Sequence, residues 1–139
     1  MAVGTTFTSG VTTVKCVIRC QESSTNDNIN RQPICIKVYN GTTLQATLLA
    51  LGHIGPNTTE WLSTGLRNKQ LADGDALTAS YTTVANDYLV VEVGGQVSSA
   101  GGTGVTATMS IGNVSGSDLA ENETGTAGDN PWIEFSNDI

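Results

Sequence analysis

The side chains best able to do chemistry are few and scattered. His53 is the only histidine, and a serine-type hydrolase would have to pair it with a serine and an aspartate. No Gly-x-Ser-x-Gly turn presents such a serine, and His53-Ile54-Gly55-Pro56-Asn57 reads most plainly as a turn. Glu92 and Glu134 both fall in alternating runs, and two carboxyls at a suitable separation could hydrolyse a glycoside. Thirteen acidic residues yield such pairs by chance, and with only 5% aromatic residues there is no obvious sugar platform. Asp73-Gly74-Asp75 and Asp118-Leu119-Ala120-Glu121-Asn122-Glu123 offer oxygen ligands to calcium, which takes about six to eight. The EF-hand spacing is absent, and Asp-Gly-Asp is equally a plain turn. Gly94-Gly95 and Ser99-Ala100-Gly101-Gly102-Thr103-Gly104 lack the lysine and the following helix that a phosphate-binding loop uses. These residues lead us to expect a protein that is not an enzyme, with no catalytic, cofactor-binding or metal-binding residues.

The cysteines, Cys16, Cys20 and Cys35, are odd in number, which argues against a full disulfide framework. In a strand Cys16 and Cys20 share a face but stand roughly 13 Å apart along it, too far for a mutual bridge. One of them could pair with Cys35 on a neighbouring strand, and free buried thiols are the simpler expectation. Zinc would want about four ligands, and one histidine is too few. Asn40, Asn57, Asn113 and Asn122 begin Asn-x-Ser/Thr triplets, as a threonine-rich chain produces by chance.

Six Lys plus Arg against thirteen Asp plus Glu give a net charge of −7. A nucleic-acid binder needs a positive footprint, and none is visible; an anionic membrane surface is disfavoured for the same reason. No apolar run is long enough for a transmembrane helix. Met1-Ala2-Val3-Gly4-Thr5-Thr6 has neither a basic region nor an apolar core, so no signal peptide is expected and synthesis in a cytoplasm is. Only 14% of residues are charged, and Thr, Ser, Asn and Gly carry the polarity. That profile suits strands and turns better than helices.

The elements follow from periodicity. Asp87-Tyr88-Leu89-Val90-Val91-Glu92-Val93 alternates and reads as a central strand against which others pair. Val11–Gln21 buries Val14, Cys16, Ile18 and Cys20 on one face. Residues 22–32 read as a polar loop, and Ile34–Tyr39 as a strand ending at the hairpin signal Asn40-Gly41. Thr42–Leu49 returns, with Gly52 as a break. Further strands are expected at 58–63 (with Trp61), 76–83, 105–111 and 132–136, and a helical turn at 66–71. Residues 97–104 and the acidic stretch 113–130 read as loops. Trp61 and Trp132 are core residues or interface anchors, with core preferred. About eight strands in 139 residues predict a single all-β domain over 11–139, a jelly-roll-like sandwich or barrel. An immunoglobulin-like sandwich is the alternative. Residues 1–10 would be an arm or an edge strand.

Over residues 70–139 the order of motifs carries a resemblance. Leu71-Ala72-Asp73-Gly74-Asp75, the strand at 87–94, the acidic loop at 118–124 and Asp129-Asn130-Pro131-Trp132-Ile133-Glu134-Phe135-Ser136 follow one another. This resembles β-rich structural proteins of tailed bacteriophages and related environmental viral sequences. The resemblance, together with the size, implies a capsid decoration (cement) protein on the virion surface. It would bind the major capsid protein as a homo-oligomer, with a trimer favoured. A carbohydrate- or receptor-binding module of a tail fibre or baseplate is the competing expectation. Exposed Trp61 beside Tyr81 or Tyr88 would be its sign.

Overall fold

Alternation at every second residue is what a strand with one buried face requires, and Val14, Cys16, Ile18 and Cys20 meet it. They lie in β2 (Thr13–Glu22), and all four join the core. The computed structural model describes residues 1–31, 33–54, 59–61, 65–97, 106–110, 117–121 and 129–139. Among them are eleven strands and no helix. The others are β1 (Thr6–Phe7), β3 (Ile29–Arg31), β4 (Pro33–Asn40), β5 (Thr43–Ile54), β6 (Arg67–Ala76), β7 (Tyr81–Thr82), β8 (Asp87–Val93), β9 (Gln96–Val97), β10 (Ala107–Ser110) and β11 (Trp132–Phe135).

β2 is the middle of a four-stranded antiparallel sheet, with β6 along one side and β10 and β11 end to end along the other. β4 is the middle of a three-stranded sheet, between β5 and β8. The two inner faces share one core. Ile34, Ile36 and Val38 come from β4, Leu48 and Leu49 from β5, and Leu71 and Ala72 from β6. Leu89, Val91 and Val93 of β8 pack against them. The chain is therefore all-β and sandwich-like, as its periodicity predicts.

Several elements differ from the sequence reading. β8 is not central: among the described residues it pairs only with β4, and β2 and β4 hold the middle positions. Residues 67–76 form a strand, not a helical turn. Two bulges explain the misreading. Gly74 is the extra residue between Asp73↔Lys15 and Asp75↔Val14, with φ +74°, and Leu71 is the extra residue of an earlier bulge in the same strand. The Leu71 bulge resets the alternation, so Leu71 and Ala72 are buried as an adjacent pair. Asn68, beside the core-facing Lys69, is covered from the other face by Ala120, and the two pairs together have a spacing that imitates a helix. A bulge at Leu48 likewise buries Leu48 and Leu49 together.

β5 runs on through Gly52 (φ +92°) to Ile54, so His53 sits in a strand opposite Ile34 and not in a turn. Ile29–Arg31 pairs with Gln96–Val97, giving two short strands where loops are expected. Of the strand expected over 76–83, Ala76 ends β6 opposite Thr13 and Tyr81–Thr82 pairs with β1, and the residues between them are not strand. Residues 59–61 are not strand, though the Trp61 N–H donates to the Ile29 carbonyl at 2.7 Å. The hairpin turns through Gly41-Thr42, because Asn40 pairs with Thr43; Gly41 supplies the positive φ of +58°. Positions 58, 62–63, 98–105, 111–116 and 122–128 of the expected elements lie outside the described residues.

The first ten residues are fastened to the sandwich. Phe7 is fully buried, its ring edge-on to Phe135 at 5.5 Å and 64°. The Gly4 N–H donates to the Thr83 carbonyl and the Thr83 N–H to the Thr5 carbonyl, each at 2.9 Å.

None of the three cysteines is in a disulfide, and all are buried. Burial pushes the Cys16 thiol up to about 12 and raises that of Cys35. The thiolate is the reactive form, so native protein at about pH 8 should react with a thiol reagent at least roughly tenfold more slowly than the unfolded chain. A colorimetric thiol assay should then count three thiols only after denaturant is added. Fast native reaction at any of them would contradict the burial.

Candidate functional site

The outer face of the four-stranded sheet carries a cleft. Lys15, Val17, Arg19 and Gln21 of β2 alternate outward from the core residues. Their neighbours across the ladder are Glu134 and Asp73 beside Lys15, and Trp132 and Gln70 beside Val17. Residues 117–121 lie across this face as a strap. The Trp132 indole N–H donates to the Leu119 carbonyl at 2.7 Å, and the Asn68 amide donates to the Ala120 carbonyl at 3.2 Å. Lys15 Nζ reaches Glu121 Oε1 at 3.0 Å. The strap's base is a short parallel bridge, with the Leu119 N–H on the Asn130 carbonyl and the Asn130 N–H on that of Ser117. Val17 and Leu119 are both buried without belonging to the main core, as a satellite cluster under a strap requires.

Between strap and β11 opens a cleft of about 580 Å³, lined by Asp118–Glu121 and Trp132–Glu134. Its volume lies within the range of small-molecule sites. Three carboxylates, Asp118, Glu121 and Glu134, line it beside the Trp132 ring. The Glu121 hydrogen bond, with the charges of Glu121, Asp73 and Glu134, holds the Lys15 ammonium above its usual range, so Lys15 stays charged. The cleft can accept hydrogen bonds from hydroxyls against an aromatic wall, and its negative charge opposes anions.

The residues singled out in the sequence are placed as follows. His53 Nε2 of β5 stands 3.3 Å from Asp75 Oδ1 of β6, without hydrogen-bond alignment. Glu92 and Glu134 are on different sheets, and Lys37 Nζ holds Glu92 at 2.7 Å. That hydrogen bond raises the Lys37 pKa. Gly95 lies under Trp61: a Cβ there would meet the ring at 3.0 Å and Ile29 at 3.1 Å, so a glycine is needed for close packing. Trp61 is buried in the core and Trp132 is half-buried in the cleft wall. The glycine-rich stretch Ser99–Gly104, with Asn57, Asn113, Asn122 and Glu123, lies outside the described residues. Among the described residues no three His, Cys, Asp or Glu side chains are grouped to hold a metal ion.

A second surface lies on the outer face of the three-stranded sheet. Tyr39 and Tyr88 are cross-strand partners, stacked at 6.1 Å, and Leu44 is the partner of Tyr39 on the other side. Tyr88 and Leu44 are 45% and 47% exposed. The Tyr88 hydroxyl donates to the Gly41 carbonyl at 2.6 Å, which locks the ring over the hairpin. Asp87 anchors the start of β8. Its carboxylate accepts the Val84 N–H, the Asn40 amide and the Tyr81 hydroxyl, all at 2.8 Å. The Val84 bond foremost, then those of Asn40 and Tyr81, hold the Asp87 carboxyl below its usual range against the opposing effect of burial. The sequence analysis placed Asp87 at the start of a strand and gave its side chain no role, because its partners Asn40, Tyr81 and Val84 are brought to it by the fold.

Comparison with protein-family models, with curated proteins and with solved structures finds no match to this chain.

Proposed function

We propose that this chain is a non-enzymatic virion structural protein, a capsid decoration (cement) protein that binds the outer surface of a tailed-phage head. On this reading it is made in the host cytoplasm, its partner is the major capsid protein, and it works as a homo-oligomer, a trimer foremost. The observation that carries the reading is the outer face of β5, β4 and β8. There a stacked tyrosine pair and an exposed leucine stand on a hydrogen-bonded, rigid sheet in a surface otherwise rich in Thr, Ser and Asn. Aromatic anchors on a rigid, polar-rimmed face suit a protein–protein contact. Many copies, each adding a modest interface, would stabilise a shell by mass action. The resemblance of residues 70–139 to phage structural proteins, within a jelly-roll-like sandwich, points the same way.

The cleft beside Trp132 favours a second reading, a carbohydrate- or receptor-binding module of a tail fibre or baseplate. An aromatic wall with carboxylate acceptors is suited to a neutral sugar. The expected sign at Trp61 is not met, since that ring is buried, and the Tyr81 hydroxyl is engaged by Asp87. Quantitative mass spectrometry of purified particles separates the two. On the order of hundreds of copies relative to the major capsid protein is the expected result, following from decoration by mass action. A handful of copies would place the protein on the tail and favour the cleft; none would overturn both.

A further inference from the structure

A buried carboxyl, Glu22, stands beside a half-buried one, Glu60, apart from either surface. Glu22 closes β2 and is only 2% exposed, and its Oε2 accepts the Ile29 N–H at 3.1 Å. The Ile29 carbonyl accepts the Trp61 N–H at 2.7 Å. That zipper brings Glu60, the residue before Trp61, within hydrogen-bonding reach of Glu22. Oε1 of Glu22 and Oε1 of Glu60 are both buried and have no donor. As two carboxylates they would be facing acceptors in a site that water does not reach, a costly arrangement. A proton on Glu22 makes it a donor to Glu60.

The groups around the pair add to this. Asp27, from the loop after β2, is buried and held by the Ser23 hydroxyl at 2.6 Å and the Ser24 N–H at 3.1 Å. On β6 the buried Lys69 gives its Nζ to the Thr59 carbonyl at 3.0 Å, fastening the same segment from the other side. We infer that Glu22 keeps its proton and donates it to Glu60, and that this hydrogen bond clasps residues 59–61, with the Trp61 ring, onto the β3 end of the sandwich. Burial, and then the charges of Glu60 and Asp27, raise the Glu22 pKa against the lowering effect of the Ile29 N–H. A carboxyl raised on folding stabilises the folded state fully below its unfolded pKa, and the contribution is lost as pH rises through the folded value. The clasp thus tightens in acid and loosens toward alkaline pH.

The test is amide hydrogen exchange at Trp61 and Ile29, corrected for the intrinsic pH dependence, on the full chain. Between the unfolded and the folded pKa protection should fall by up to about tenfold per pH unit, and above the folded value it should level off. Glu60→Gln places a permanent amide donor opposite Glu22, and its protection should not vary with pH. Glu22→Gln should flatten the profile in the same way. Two results would overturn the clasp without reference to either variant. One is wild-type protection that does not vary with pH. The other is alkaline protection that a chelator abolishes, since a bound cation would then bridge the carboxyls in place of a proton. A Glu60→Gln protein that folds and keeps the wild-type profile would also sink it.

Discussion

Trp61→Ala should destabilise the protein by about 3–5 kcal/mol, the usual cost of emptying a large aromatic site. Trp61 is 1% exposed and reaches the core from a segment that is not itself a strand. Its ring covers Gly95 and Ile29 so closely that even a methyl group on Gly95 would press on both. The surrounding strands are hydrogen-bonded in sheets and cannot collapse into the space. The indole N–H is buried without a partner, which subtracts from what the ring contributes. Trp61→Phe removes that orphan donor with most of the ring retained, so it should cost less than about 1.5 kcal/mol. Urea unfolding at unchanged m-value measures both, and a melting shift of roughly 10–20 °C should accompany the alanine variant. An alanine variant within about 0.5 kcal/mol of wild type would mean that Trp61 is a surface residue after all.

Phe7→Ala should cost a similar amount, about 3–5 kcal/mol. This separates a structural first strand from a free arm, because truncating a solvated arm changes stability by no more than about 0.5 kcal/mol. Phe7 sits in a two-residue strand that no propensity would support alone. Its place is fixed by the edge-on contact with Phe135, near the other end of the chain, and by the pairing of Thr6 with Thr82 and Phe7 with Tyr81. A double-mutant cycle of Phe7→Leu with Phe135→Leu should return a coupling of about 0.5–1.5 kcal/mol for the ring pair. A cycle with no coupling, together with a stable alanine variant, would restore the arm.

The local, periodic features were legible from residue types and spacing. Val14, Cys16, Ile18 and Cys20, then Ile34, Ile36 and Val38, then Leu89, Val91 and Val93 each mark an inner face at every second residue, and all of them meet in the core. Their period, with turn residues between runs, is enough for an all-β sandwich, since side-chain direction in a strand depends only on the pleat. The bulged strands were not legible. Adding one residue at Gly74, Leu71 or Leu48 depends on the partner strand, and it turns an alternating pattern into one that looks helical or featureless. Nor could the residues show which strand lies in the middle of a sheet, because β4 and β8 have similar patterns and differ only in how many neighbours they pair with. The strap on Trp132, the Asp87 anchor, the seat of Phe7 and the Glu22–Glu60 pair all depend on residues brought together by the fold. They could be read only from the folded arrangement, because desolvation and hydrogen-bond geometry arise once separate segments are packed together.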